Sequence, residues 1–232
     1  MRHVMTFAAF LLLAQFASAA SFDCSGTLSP DEKLVCGDQL LSSLDTRLAR
    51  VHAAELKKEE PGSGLSDTVR EMSKDFLADR RSCGTDRQCV LATYLSIIAQ
   101  LGDVSDLPAG IDAMTIAAGR AKPSGHLPAK MGECVITRID AVYPRAGDGS
   151  PVKPEDFDGG TSLDFTNGGH QVSYKREEAV IASRPGDRVT LCLVSVPHRC
   201  PPGVEDGRGY FTTNHRTHKS WAMFDSQHEC GM

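Results

Sequence analysis

Eight cysteines, none of them within the first twenty residues, set the strongest limit on what this 232-residue chain can fold into. They form two groups of four: Cys24, Cys36, Cys83 and Cys89, then Cys134, Cys192, Cys200 and Cys230. An even number in an exported protein implies a disulfide framework. The N-terminus supports export. Arg2 and His3 precede the apolar run FAAFLLLAQFA and the small residues SAAS. This pattern is that of a secretory signal peptide, with cleavage after Ala19 or Ala20. The run is too short to span a bilayer. Ser21, Phe22 and Asp23 separate Cys24 from the small residues, which argues against a lipoprotein anchor. The expected protein is exported, periplasmic or secreted, with no transmembrane segment after signal removal.

Removing the leader takes away one formal charge, Arg2, and moves the net charge from −5 to −6. An acidic balance argues against nucleic acid as a partner. The stretch LPAGIDAMTIAAGRAKPSGHLPAK between the cysteine groups reads as linker, with a short helix at about Ile111 to Ala118. The expected organisation is a signal peptide over 1–20, a helical domain over 21–101, a linker over 102–132 and a β-rich domain over 133–232. The fold class is α+β, as two small, separately stapled domains.

Ser29, Pro30 and Glu32 form an N-cap, a first helical position and a capping-box partner. The helix they start is expected to run to about Lys58, with Cys36, Leu40, Leu44, Leu48 and Val51 on one face. A second helix starts near Ser66 with Val69, Met72, Phe76 and Cys83 on one stripe. Thr85 and Gln88 are the expected capping box of a third, whose apolar face is Val90, Tyr94, Ile97 and Leu101. Helices joined by a short loop run antiparallel. That brings Cys83 to Cys36 and predicts nested bridges, Cys36–Cys83 and Cys24–Cys89, as staples for a domain with a small core.

Cys24, Glu32, Cys36, Leu41, Leu44 and Asp45, followed by Phe76, Arg80, Cys83, Cys89 and Tyr94, form a pattern. Over about 21–101 it resembles the N-terminal domain of the lysozyme inhibitor LprI-like family. Phe76 stands where that family usually has Trp. The resemblance implies a helical fold and makes lysozyme, or another envelope protein, the expected partner. It identifies no inhibitory contact residue. Asp45 and Arg80 are read as an interhelix pair.

From Cys134 onward the pattern alternates as strands do. CVITRIDAVY is a strand and SLDFTNGGHQVSY a hairpin turning at Asn167-Gly168-Gly169. REEAVIASRPGD is a short helix, RVTLCLVSV a strand, and GYFTTN with KSWAMF a second hairpin. Five or six strands in this order imply a small barrel similar to an oligonucleotide/oligosaccharide-binding barrel. Cys192 is expected to bridge to Cys134 or to Cys200. The C-terminal third also concentrates His198, Cys200, His215, His218, His228 and Cys230, yet without the spacing of a familiar zinc site. Asp225, Ser226 and His228 lie close in sequence but carry no nucleophile elbow. Trp221 is expected in the core. The expectation is therefore a binding protein rather than an enzyme, with no metal and no cofactor; the alternatives are a structural or accessory periplasmic module with no lysozyme affinity and a zinc-binding or hydrolytic protein using the His-rich C-terminal end. Arg216 and Lys219, on the last hairpin, are the candidate contacts by charge.

Overall fold

A computed structural model describes residues 20–58, 64–147, 152–198, 200–201 and 207–227. Four helices come first: α1 (Pro30–Gly37), α2 (Gln39–Leu56), α3 (Leu65–Cys83) and α4 (Arg87–Leu101). The helix expected from Ser29 to Lys58 is broken. Asp38 leaves helical geometry at φ −111° and caps α2, its carboxylate accepting from the Leu41 amide. At α1, Glu32 reaches back to the Ser29 amide at 2.8 Å, the half of the capping box that the sequence predicts. At α4 the cap is Asp86, not Thr85. Its carboxylate accepts from the Gln88 and Cys89 amides.

These breaks correct the disulfide pairing. The bridges are Cys24–Cys36 and Cys83–Cys89, with Cα atoms 5.9 and 5.5 Å apart. Cys36 ends the short α1, where the preceding loop folds back to it. Cys83 ends α3, and Gly84 at φ 56° turns the chain tightly into α4. Each staple therefore closes a local turn rather than the mouth of a helical hairpin.

The helices pack around one ion cluster. Arg80 is buried and donates from Nε to Asp31 at 2.8 Å and from Nη1 to the Tyr94 hydroxyl at 3.1 Å. Tyr94 in turn donates to Asp45 at 2.8 Å. Burial works against the Asp31 carboxylate, but hydrogen bonds from Ser29 and Arg80 outweigh it and hold the group below its usual value. Phe76 meets Tyr94 edge-on with ring centres 5.0 Å apart. Asp45 and Arg80 thus meet as an interhelix contact, 3.7 Å apart.

After α4, residues 102–132 are packed, not extended. A 3-10 turn (Val104–Asp106), α5 (Ala113–Ala117) and the two-residue β1 (Lys122–Pro123) follow. Ala113 and Ile116 are fully buried, and Ala113 donates its amide to Thr213 on the barrel. Gly132, at φ 77°, lies against the backbone of Gln88 and Cys89, where an added Cβ would stand 2.7 Å from main-chain atoms.

The β-rich part follows the expected order: β2 (Cys134–Pro144), the hairpin β3 (Thr161–Phe165) and β4 (His170–Ser173), α6 (Glu178–Ile181), β5 (Arg188–Ser195), then the hairpin β6 (Gly209–Asn214) and β7 (Ser220–Phe224). Six strands close as an antiparallel barrel, in the order β2-β3-β4-β7-β6-β5 and back to β2. The six-strand alternative is the observed one. An even count lets β4 meet β7 antiparallel, so this barrel differs from the five-stranded oligonucleotide/oligosaccharide-binding form. β2 closes it by pairing its first half with β5 and its second half with β3, across a register shift between Ile139 and Ala141. Cys134 lies directly opposite Cys192, and the two are bridged. Cys200 is also disulfide-bonded, and Cys230 lies outside the described residues.

β5 explains why helices and barrel belong together. Val189, Leu191 and Leu193 point into the barrel core with Trp221 and Met223. Cys192 and Val194 point outward and share a second core with Val90, Tyr94, Leu95 and Ile98 of the helical part. The continuous apolar run RVTLCLVSV is therefore a strand covered on both faces. For the same reason α4 is buried nearly all round, not along the single stripe expected.

Two outcomes test this arrangement. A non-reduced digest should yield a Cys24–Cys36 crosslink and none joining Cys36 to Cys83. Arg80→Met should lose about 3–5 kcal/mol, because it strands the Asp31 carboxylate buried without its cation. Urea unfolding followed by the fluorescence of Trp221, buried in the barrel, measures that loss. A loss below about 1 kcal/mol would contradict the central role of this guanidinium.

Candidate functional site

The residues of the sequence pattern do not form a site. Glu32, Leu41, Leu44, Asp45, Phe76, Arg80 and Tyr94 converge on the interior of the helical part, with Glu32 3.8 Å from Arg80. Their side chains hold the helices to one another.

The last hairpin fares differently from its expectation as well. Arg216 is bound to Asp187 through both carboxylate oxygens at 2.7 Å, and donates to the Ala182 carbonyl at 2.9 Å. Buried Asn214 joins them, donating to Ser183 and Asp187 while its carbonyl caps the Arg216 and Thr217 amides. Arg216 therefore fixes the hairpin to the end of α6, and its charge is committed internally. Lys219 is exposed. The Arg216 hydrogen bonds hold the Asp187 carboxyl well below the usual carboxylate range.

The histidines are dispersed. His215 and His198 lie at opposite ends of β5. His215 is hydrogen-bonded to Thr190 at 2.8 Å, while His198 reaches Asp79 of α3 at 2.7 Å. Among the described residues no group of three histidines, cysteines or carboxylates is placed to hold a metal. Asp225 accepts from the Gly207 and Arg208 amides at 2.8 Å and so orders the start of β6. His228 lies outside the described residues. Trp221 is in the core, its indole N–H given to Gln171 at 2.8 Å.

The candidate site is the cleft where α3 and α4 face the outer surface of β4, β6 and β7. It has two joined lobes, of about 370 and 530 Å3, which share Met72, Ser96, Gln100, Tyr174, Phe224, Ser226 and Gln227. Met72, Asp75 and Asp79 line it from α3, at the three- and four-residue spacing that puts them on one helix face. Two aromatic rings line the other wall, Tyr174 54% exposed and Phe224 37% exposed. Phe224 lies over Gly209, where a Cβ would come within 3.2 Å of its ring. Tyr174 is held by the Arg145 guanidinium, 4.3 Å above its ring, and that guanidinium also donates to Gln227 at 3.0 Å. These aromatics are partly open to solvent yet anchored, which lowers the entropy lost when a ligand covers them.

The cleft is acidic. Glu71, Asp75, Asp79 and Glu177 line it, against Lys175 and His198. Burial pushes the carboxyl groups of Asp79 and Glu177 up, partly offset by His198 and Ser173 respectively. Their folded state thus favours added positive charge nearby. On the outside of β3 and β4 a smaller cluster joins Tyr143, Asp164 and His170, the last two at 2.8 Å. Neither Asp79 nor Tyr174 stands out in sequence. The cleft exists only after helices and barrel dock.

Comparison with protein-family models, with curated proteins and with solved structures returns no match to this chain. Among the described residues no helix is long and apolar enough to cross a membrane. Three disulfides among the described residues are consistent with an oxidising compartment.

The Asp187–Arg216 pair predicts a pH signature. A carboxyl whose folded value is depressed adds stability above its unfolded value, near 3.9, and loses it as pH falls toward the folded value. Asp187→Asn should therefore be less stable than the native chain above about pH 5, with the gap shrinking below about pH 4. Thermal melts across that range check it; a gap independent of pH would contradict the assignment.

Proposed function

We propose that this chain is an exported binding protein of the cell envelope whose cleft receives a basic protein segment, with a basic lysozyme as the first partner to test. One observation carries the proposal: Tyr174 and Phe224 stand partly open beside Glu71, Asp75, Asp79 and Glu177 in one cleft. Aromatic rings accept the aliphatic stems and charged heads of Lys and Arg. Neighbouring carboxylates supply complementary charge, and the net charge of −6 that remains without Arg2 steers a cationic partner toward the protein. The likeness of the helical part to the LprI-like domain adds lysozyme as the specific candidate. In this scheme inhibition is steric: a lysozyme held at the cleft has its own substrate groove covered.

The contacts proposed differ from those that charge alone picks out. Arg216 is paired with Asp187 and Asp79 with His198, so the contacts proposed are the open rings of Tyr174 and Phe224 with Glu71, Asp75 and Glu177 of the cleft.

Calorimetric titration of oxidised 21–232 with a basic lysozyme, alongside protection of a Gram-positive cell suspension from lysis, tests the proposal. Affinity should fall steeply with salt. Tyr174→Ala should weaken binding roughly tenfold, the effect of a 1.4 kcal/mol contact. Glu71→Lys together with Asp75→Lys should weaken it further. No heat and no protection at large molar excess would remove lysozyme as partner. Native affinity in the Tyr174→Ala and double-Lys proteins would move the contact away from the cleft.

A further inference from the structure

We infer that the leader is removed between Ala20 and Ser21, and that the α-ammonium group created there is a counter-ion for the buried carboxylate of Asp45. The inference rests on the export reading for its first half; the second half stands on geometry.

By sequence, two cuts are equally good. Small residues occupy the last and third-last leader positions for a cut after Ala19 (Ala17, Ala19) and for one after Ala20 (Ser18, Ala20). The folded chain distinguishes them. The Ser21 main-chain nitrogen lies 2.6 Å from Asp45 Oδ2, and the Ser21 hydroxyl donates to the same oxygen at 2.6 Å. The other Asp45 oxygen takes the Tyr94 hydroxyl. A cut after Ala19 would place the new charge on the preceding residue, one Cα spacing of about 3.8 Å away, and leave Ser21 an amide.

The charges around this nitrogen call for a cation. Among the described residues, Arg80 is the one cation that the structure pairs with Asp31 and Asp45. The side chains of these three are 6%, 2% and 6% exposed. One guanidinium thus faces two buried carboxylates, and the half-buried Glu32 adds a third negative charge at 3.8 Å. Buried charges are retained when they are paired. Ser21 is exposed, so an ammonium there can point one proton at Asp45 and keep the others in water.

The step is a hydrolysis. Water adds across the Ala20–Ser21 peptide bond, Ala20 leaves with the carboxylate, and the freed amine of Ser21 takes up a proton. Before the cut, Ser21 offers Asp45 a neutral amide. After it, the same atom offers a charge. Removal of the leader therefore tightens the junction of α2, α3 and α4 at the moment the protein is released.

The group in contact with the amine is Asp45 on α2; Asp45 in turn meets Tyr94 on α4 and Arg80 on α3, and Arg80 carries Asp31 and Glu32 of α1, while Asp23 on the amine's own segment is bonded to Ser25. Pairing with Asp45 raises the folded value of the amine above its ordinary range near 7.7–8.0. Its contribution is then fully present below that range and is lost as pH rises through the folded value.

Two measurements test the inference. The intact mass of the exported full chain should correspond to a start at Ser21. A start at Ala20 would overturn the cleavage assignment, and an uncleaved chain would overturn it together with the export reading. A correctly cut chain that fails to bind lysozyme would bear on function alone. Separately, a chain with free Ser21, released from a cleavable fusion, is compared in thermal melts with one that starts at Ala17. The extended chain should melt roughly 2–4 °C lower near pH 7, with the gap closing by about pH 10. In the Asp45→Asn background the gap should disappear. Equal melting of the two native-sequence chains across that range would overturn the counter-ion, whatever the Asp45 variant does.

Discussion

A single buried guanidinium organises the helical part. Arg80 comes from α3, Asp31 from α1, Asp45 from α2 and Tyr94 from α4, so one charge touches or nearly touches every helix of the bundle. None of these short helices would hold its place alone, since most helical stability comes from packing. Removing a charge from water is costly, and the cost is offset only when the partners stand at hydrogen-bond distance. That requirement fixes the relative rotation of the four helices more sharply than apolar stripes can. The two N-terminal disulfides play a smaller part, since each closes a turn at the edge of an arrangement set from within.

The second organising element is β5. Its inward residues build the barrel core and its outward residues build the floor for α4. A strand covered on both faces leaves no room for the helices to act as a separate body. Residues 102–132 reinforce this, since α5 fits between the helices and the barrel and Ala113 donates its amide to Thr213. The candidate cleft is the part of this junction left unfilled, where the rings of Tyr174 and Phe224 remain partly open to water.

Much of the architecture was legible in the chain itself. The strand, hairpin, helix, strand, hairpin order followed from alternation and from the Asn167-Gly168-Gly169 turn, because both signals are local. The core position of Trp221 and the Cys134–Cys192 option were legible for the same reason, lying within recognisable strands. The N-terminal cysteine pairing was not. It depended on the break at Gly37–Asp38, where one carboxylate bonding the Leu41 amide outcompetes continuation of the helix, a difference of about a kcal/mol that periodicity does not register. The internal partner of Arg216 was not legible either. Charge on a hairpin reads as available until the fold places Asp187 opposite it.

The sequence by itself determined the element types of the β-rich part, their order along the chain and the pairing of Asp45 with Arg80, since each rests on short-range pattern or on residue chemistry that tolerates burial only in company. The tertiary structure alone decided which cysteines meet, which charges are spent internally and where the open aromatic surface lies. Those outcomes depend on distances between residues tens of positions apart. Such distances are set by packing of whole elements, which no local pattern encodes.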